Sequence, residues 1–489
     1  MTFGSLNLSR RDLWIVVALF AVSRAFYGWL GLHFDASTFP GYMQFIEPSL
    51  LTQRLFESLW YYHAGPPMLN LVVGIALKMF GAQAMLAVGL LFHVLGLLLA
   101  IAVYALTCRL SHSRLAGLIT AGLLVFSPAF VLYENWLMYS FPATALLTLS
   151  ALALYQYVDT RRTGWCVAFF SLLTALLLTR SLFHLAWMVL VTGLLAVMMR
   201  EHWRQVLRAA FIPLLVIVLW YGKNYYLFGM FGSSSWMGLG LSNIATLVTT
   251  REELQPLVED GRLSRYALIS RYSQMDQLFD PSLPPTGVPV LDQIKKPTGQ
   301  YNFNYHGIIE VDRYYTHDAL TVIRAYPFSY VIGMVIANRL FFSPTSMNLY
   351  FNKENRAAAR PMEAVFNPLF YGVGAEPFLG KQPHFGFANA GSLEVNTSVP
   401  LILAWIVVLG YGYLQLRKAL VSGTREELPR ALAIGFIVLT TLYVYAISTT
   451  IELAENYRYR SLIEPLFLVL EATVITAFIR KARARFFPA

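Results

Sequence analysis

Runs of about twenty apolar residues recur along this chain, each long enough to cross a hydrocarbon core of about 30 Å as one helix. They lie at 12–32, 84–107, 115–132, 141–158, 164–180, 182–199, 207–225, 398–415, 430–450 and 461–479. Two shorter runs, 66–81 and 327–343, begin at proline. Of 489 residues, 57% are apolar and 13% charged, against roughly 45–50% and about 25% in a soluble domain. A soluble enzyme, a disordered chain and a disulfide-stapled secreted domain are thereby excluded. The expected fold class is an all-α polytopic membrane protein of about ten transmembrane helices plus juxtamembrane helices. Cys108 adjoins a basic loop and Cys166 lies inside an apolar run, so no disulfide is expected. Arg10-Arg11 precede the first run and no small-residue cleavage site follows it, which reads as a membrane helix and not a removed signal peptide.

The formal charge of +10 would suggest nucleic acid as partner of a soluble chain. In a membrane protein it sets sidedness instead, and no nucleic acid is expected. Placing 66–81 and 327–343 on the outer side as juxtamembrane or re-entrant helices makes every inner connection short and basic. These connections carry Arg10 and Arg11; Arg109 and Arg114; Arg161 and Arg162; Arg200, Arg204 and Arg208. The series continues with Arg417, Lys418, Arg425 and Arg430, then Arg480, Lys481, Arg483 and Arg485, against the acids Asp12, Asp159, Glu201, Glu426 and Glu427. Both termini are expected inside, with a bacterial inner membrane as the setting.

Three parts follow from this layout. Residues 1–225 form a membrane module that includes the first outer loop, 33–66, and the juxtamembrane run 66–81. Residues 226–397, rich in Pro, Gly, Tyr and Asn, form a mixed extracytoplasmic region containing 327–343. Residues 398–489 are the C-terminal transmembrane helices. In the first loop Leu51, Leu55 and Leu59 repeat at i, i+4, i+8 after Pro48. That stripe fits an interfacial helix or a helix packed on the bundle.

Ionisable residues at a membrane face are costly and are usually functional or paired. The topology brings Asp35, His63, Glu134, Arg180, His184, Lys223, Glu455, Arg458 and Arg460 to the outer side. Lys223 could snorkel, Arg458 or Arg460 could pair with Glu455 or Glu464, Arg180 could cap carbonyls, and His33, His93 and His184 read as core histidines. Together, carboxylates and cationic groups on one face describe chemistry on a phosphorylated lipid. Arg and Lys stabilise a phosphate leaving group, and a carboxylate takes the proton of an attacking hydroxyl.

On these residues the sequence resembles the GT-C glycosyltransferases, within them the group of protein mannosyltransferases and aminoarabinose transferases. The resemblance rests on Asp35 in the first outer loop, on His63-Ala64-Gly65-Pro66-Pro67-Met68-Leu69 and on Ser127-Pro128. It extends to Glu134 in the second outer loop and to Arg458-Tyr459-Arg460 with Pro465 before a late helix. It covers about 12–225 and 450–480 and fades between. It implies transfer of a sugar, hexose or pentose, from a polyprenyl-phosphate carrier to a lipid, glycan or protein acceptor at the extracytoplasmic face, with inversion.

Asp35 would then be the general base, supported by Glu134. Arg458, Arg460, Lys223 and Arg180 would hold the carrier phosphate, and His63, Tyr61, Tyr62, Tyr139 and Glu455 would contact substrate. No cofactor is called for. A divalent metal stays open but lacks an Asp-x-Asp motif, because Ser37 stands at that spacing from Asp35. Two other readings remain: a glycan ligase or polymerase using a lipid diphosphate, and a lipid or sugar transporter.

Overall fold

The structure, a computed structural model, describes residues 9–269, 274–372, 384–386, 392–422 and 427–486. Arg425 and Glu426 of the basic-loop series lie outside them. The chain starts with helix α1 (Arg10–Trp29) and two short helices, α2 (Pro48–Gln53) and α3 (Leu55–Trp60). Then come α4 (Met68–Phe80), α5 (Ala84–Ser111), α6 (Arg114–Phe126), α7 (Pro128–Glu134), α8 (Ser140–Thr160), α9 (Thr163–Leu177), α10 (Leu185–Met198) and α11 (Trp203–Phe228). The middle region contributes α12 (Met237–Thr246), α13 (Arg251–Glu259), α14 (Pro289–Asp292), α15 (Ile308–Ala325), α16 (Pro327–Phe341) and α17 (Lys353–Phe366). The chain closes with α18 (Val399–Ser422), α19 (Leu428–Ile451), α20 (Asn456–Ser461) and α21 (Glu464–Phe486). A short antiparallel pair, His384–Gly386 with Ser392–Glu394, is formed between the last two groups.

The fold is helical, as expected, and the count of about ten spans is not confirmed by helix length and composition. Among the described residues six helices are long and apolar enough to cross a bilayer, and eight if two bent pairs each count as one. Helices α9 and α10 hold 15 and 14 residues, only about 21–23 Å at 1.5 Å per residue. The turn around Arg180 consumes the rest of their apolar runs. Helix α21 has the length but carries Glu464 and Glu471 besides its terminal cations, which removes it from the apolar class. The run 327–343 becomes α16, bent 108° against α15. The run 66–81 becomes α4, which ends at Gly81, where φ is +52°. The stripe Leu51, Leu55, Leu59 is buried, and α2 and α3 pack against α4. A Cβ on Gly74 would lie 2.3 Å from Leu55 Cδ1, so α4 keeps a glycine where that leucine enters.

Local sequence explains the break that matters most for the site. Ser127 accepts the Phe130 N–H at 3.4 Å and Pro128 stands at the first helical position, so one helix ends and another starts there. The two axes meet at 60°, and α7 delivers Glu134 sideways into the bundle.

Polar contacts between loops gather at two ends. At one, Arg114 grips Asp12 at 2.7 and 2.8 Å, Arg430 Nε donates to Leu110 O, Arg480 donates to His112 O, and Gln205 donates to Arg161 O. At the other, Asp35 pairs with residues 135–137, Met68 N–H donates to Leu178 O, Tyr443 donates to Leu182 O, and Lys223 donates to Trp60 O.

Candidate functional site

Asp35 is buried and held by backbone on a neighbouring strand-like segment. Its N–H donates to Asn135 O at 2.7 Å, and its carbonyl accepts the Leu137 N–H at 3.0 Å. These bonds form a parallel bridge to Trp136. The Ser37 N–H donates to Oδ1 at 2.9 Å, and Oδ2 accepts no hydrogen bond among the described residues. One carboxylate oxygen is therefore fixed and the other left over, as proton abstraction needs.

From Trp136 an aromatic wall leads to the cationic groups. Trp136 stacks on Tyr350 with rings 6.2 Å apart and 3° from parallel, and Tyr350 meets Tyr42 edge-on at 5.7 Å. The Arg458 guanidinium lies 5.8 Å from the Tyr350 ring and 5.6 Å from the Tyr139 ring. Its Nη2 pairs with Glu455 and donates to the Tyr139 hydroxyl at 3.2 Å. Arg180 comes from the α9–α10 turn and sits 4.4 Å from the same Tyr139 ring and 4.6 Å from Tyr459.

Both arginines are nearly covered, at 4% and 5% exposure. Arg458 Nε and Nη1 and Arg180 Nε are buried without a hydrogen-bond partner among the described residues. Leaving such donors unpaired is costly, so the pair is poised for an anion with several acceptor oxygens. Local charge agrees: Arg458 pairs with Glu455, whose carboxylate pushes the Tyr350 hydroxyl pKa up. Burial raises Glu452 to about 7, with Glu455 adding repulsion.

The other sequence-predicted residues lie apart from this centre or are already engaged. Arg460 donates to Phe341 O at 2.8 Å, Ser343 O at 2.7 Å and Glu464 at 3.1 Å, which braces α20 against α16 and α21. Lys223 donates to Trp60 O at 2.8 Å and packs 3.9 Å from the Trp220 ring. Glu134 is 0% exposed and lies between Arg24, whose Nε is 2.8 Å from Oε1, and His93, whose Nδ1 is 2.5 Å from the same oxygen.

His63 is buried among Ser235 Oγ at 2.8 Å and Asn304 O at 3.1 Å, and burial lowers its pKa to about 3. Asn304 also receives the His63 and Ala64 N–H groups and donates to Tyr61 O, so His63 and Tyr61 fasten the first loop to the middle region. The Tyr62 hydroxyl donates to Gln44 O at 2.8 Å. Among the described residues no group of three or more His, Cys, Asp or Glu could hold a metal ion.

The sequence reading does not single out Arg24, Tyr42, Tyr350, Glu452 or Lys296. Arg24 carried a signal, a charge inside an apolar run, which in a membrane implies a partner. Lys296 donates to Tyr42 O at 2.6 Å and to the carbonyls of Pro40 and Gly41 at 3.4 and 3.5 Å. It thereby anchors the loop that carries Tyr42, and burial lowers its pKa to about 8. Its position gave no such hint.

No protein-family model matches the chain, and no curated protein is significantly similar to it. Among solved structures it is similar to ArnT from Cupriavidus metallidurans bound to undecaprenyl phosphate. That likeness has 14% identity and a TM-score of 0.32, over 89% of this chain and 77% of the other. It is also similar to the apo state of ArnT from Cupriavidus metallidurans, with 16% identity and a TM-score of 0.31 over 91% and 78% of the two chains.

Proposed function

We propose that the protein is a membrane glycosyltransferase that moves a sugar from a polyprenyl-phosphate carrier to an acceptor hydroxyl at the extracytoplasmic face. The observation that carries this reading is the pair Arg180 and Arg458, buried beside one tyrosine ring with guanidinium donors unpartnered among the described residues. A carrier phosphate would satisfy those donors, and its negative charge suits two arginines of which Arg458 is paired with Glu455. Arg460 and Lys223 brace the surrounding elements, and Glu134 acts on the segment that carries Asp35.

In the reaction the acceptor oxygen attacks the anomeric carbon as its proton passes to Asp35 Oδ2. The bond from that carbon to the phosphate oxygen breaks, and its electron pair leaves with the polyprenyl phosphate. Attack from the side opposite the phosphate inverts the configuration. Arg180 and Arg458 stabilise the charge that develops on the leaving phosphate, the larger part of the barrier reduction expected here.

The test is sugar release from a panel of undecaprenyl-phosphate sugars and undecaprenyl-diphosphate glycans, using purified protein with crude membrane acceptors. Wild type is run beside Asp35→Asn. Turnover of a monophosphate donor that disappears in the variant, with undecaprenyl-phosphate binding retained, is the expected result. Unchanged turnover in the variant removes Asp35 from the mechanism. Turnover of diphosphate donors alone transfers the reading to a glycan ligase or polymerase.

A further inference from the structure

Helix α5 presents Gly89, His93 and Gly96 at i, i+4 and i+7, one face of the helix. A Cβ on Gly89 would lie 3.1 Å from the ring of Phe34, the residue before Asp35. A Cβ on Gly96 would lie 2.5 Å from Glu134 Oε2. His93 lies between them and contacts Glu134 Oε1 at 2.5 Å. Both outer-loop segments, 33–37 and 134–137, are therefore seated on one strip of α5.

The second clamp comes from α1. Arg24 grips Glu134 through Nε and Nη2 and donates from Nη1 to Val125 O at 2.9 Å, while its guanidinium lies 4.0 Å from the Phe20 ring. A buried carboxylate held by a two-pronged guanidinium and an imidazole has little freedom to move. The main chain leaves Glu134 directly for Asn135–Leu137, the residues that hydrogen-bond both sides of Asp35.

We infer that Arg24, His93 and Glu134 are positioning residues that set the place of the Asp35 carboxylate. They act through the backbone bridge at Trp136, without touching substrate. This rests on the reading of Asp35 as the base, but the mechanical coupling can be measured without any turnover.

Amide hydrogen exchange on the intact protein in detergent is compared for wild type, Arg24→Gln, Glu134→Gln and the double variant. Each single variant should speed exchange at 33–38 and 134–138 by about tenfold or more, the loss expected for a hydrogen bond to a charged group. The double variant should add little, because both changes release one clamp. Helix α13, 251–259, which packs through Leu254 and Leu257 on Ala319 and Val322 away from both loops, serves as the internal control for general unfolding and should not change. Exchange at 33–38 that stays at the wild-type rate while 134–138 loosens overturns the inference, as does a double variant whose effects multiply.

On a turned-over donor the same variants should lower kcat with KM unchanged, and Arg24→Lys should restore part of it. A wild type that turns over no donor sinks the transferase reading while the exchange result still decides the coupling. A wild type that works and an Arg24→Gln that matches it sink the positioning role alone.

Discussion

Arg180 and Arg458 meet at one aromatic ring, that of Tyr139: the first guanidinium lies 4.4 Å from its centroid and the second 5.6 Å. They come from a turn and a short helix far apart in the chain, and neither has all its buried donors satisfied among the described residues. On the proposed function, the carrier phosphate would be held between these two guanidiniums.

Arg458→Gln and Arg180→Gln should each weaken undecaprenyl-phosphate binding by roughly ten- to a hundredfold, about 1.5–3 kcal/mol per charged hydrogen-bonding group. Arg460→Gln should instead lower thermal stability with a smaller effect on binding, since it strands the carbonyls of Phe341 and Ser343. Calorimetric titration and thermal unfolding in detergent separate the two outcomes.

Gly96→Ala should destabilise the protein by about 1–3 kcal/mol, because the new methyl group overlaps a carboxylate that cannot retreat. Its Cβ would stand 2.5 Å from Oε2 and 2.8 Å from the carboxyl carbon. Gly193→Ala, within α10 with nothing inside 4 Å, should be neutral or stabilise by about 0.5–1 kcal/mol through helix propensity. Thermal unfolding of both variants checks the contrast.

His63 titrates near 3 when folded because burial disfavours its charged form, and near 6.5 when unfolded. The unfolded chain therefore binds the extra proton between those values. The stability linked to this group is complete above about pH 6.5 and falls as pH drops towards 3. In His63→Asn the acid-side slope of unfolding midpoint against pH should shrink, at the expense of a lower plateau.

Glu452 moves the opposite way. Burial and the neighbouring Glu455 raise it to about 7, while Asn243 donates to its Oε1 at 2.9 Å. The folded protein holds this proton more tightly than the unfolded chain. The linked stability is present below about pH 4.5 and lost as pH rises through 7. Glu452→Gln keeps an acceptor for Asn243 and should flatten that part of the profile. A profile unchanged by the substitution would show that another group governs it.

The helical class and the bilayer setting were legible from the chain, because apolar run length and composition are local properties. Span number was not, since it depends on where turns cut the runs. The turn at Arg180 shortens α9 and α10, and Ser127-Pro128 splits one run into two axes. The candidate base Asp35 could be singled out by its apolar neighbours, yet nothing near it in sequence announces the bridge to Trp136.

The sequence by itself determined that this chain is a bundle of membrane-length helices with charged residues in its connections, since hydrophobic transfer and helix length act residue by residue. Tertiary structure alone decided which charges are spent and which are available. Arg458 and Arg460 stand two apart on α20, a spacing that turns them to different sides of a helix. One faces Tyr139 and the other two carbonyls and Glu464. Glu134 likewise looks like a loop carboxylate until α1 and α5 close on it, because hydrogen-bond partners are set by where the chain returns and not by what precedes them.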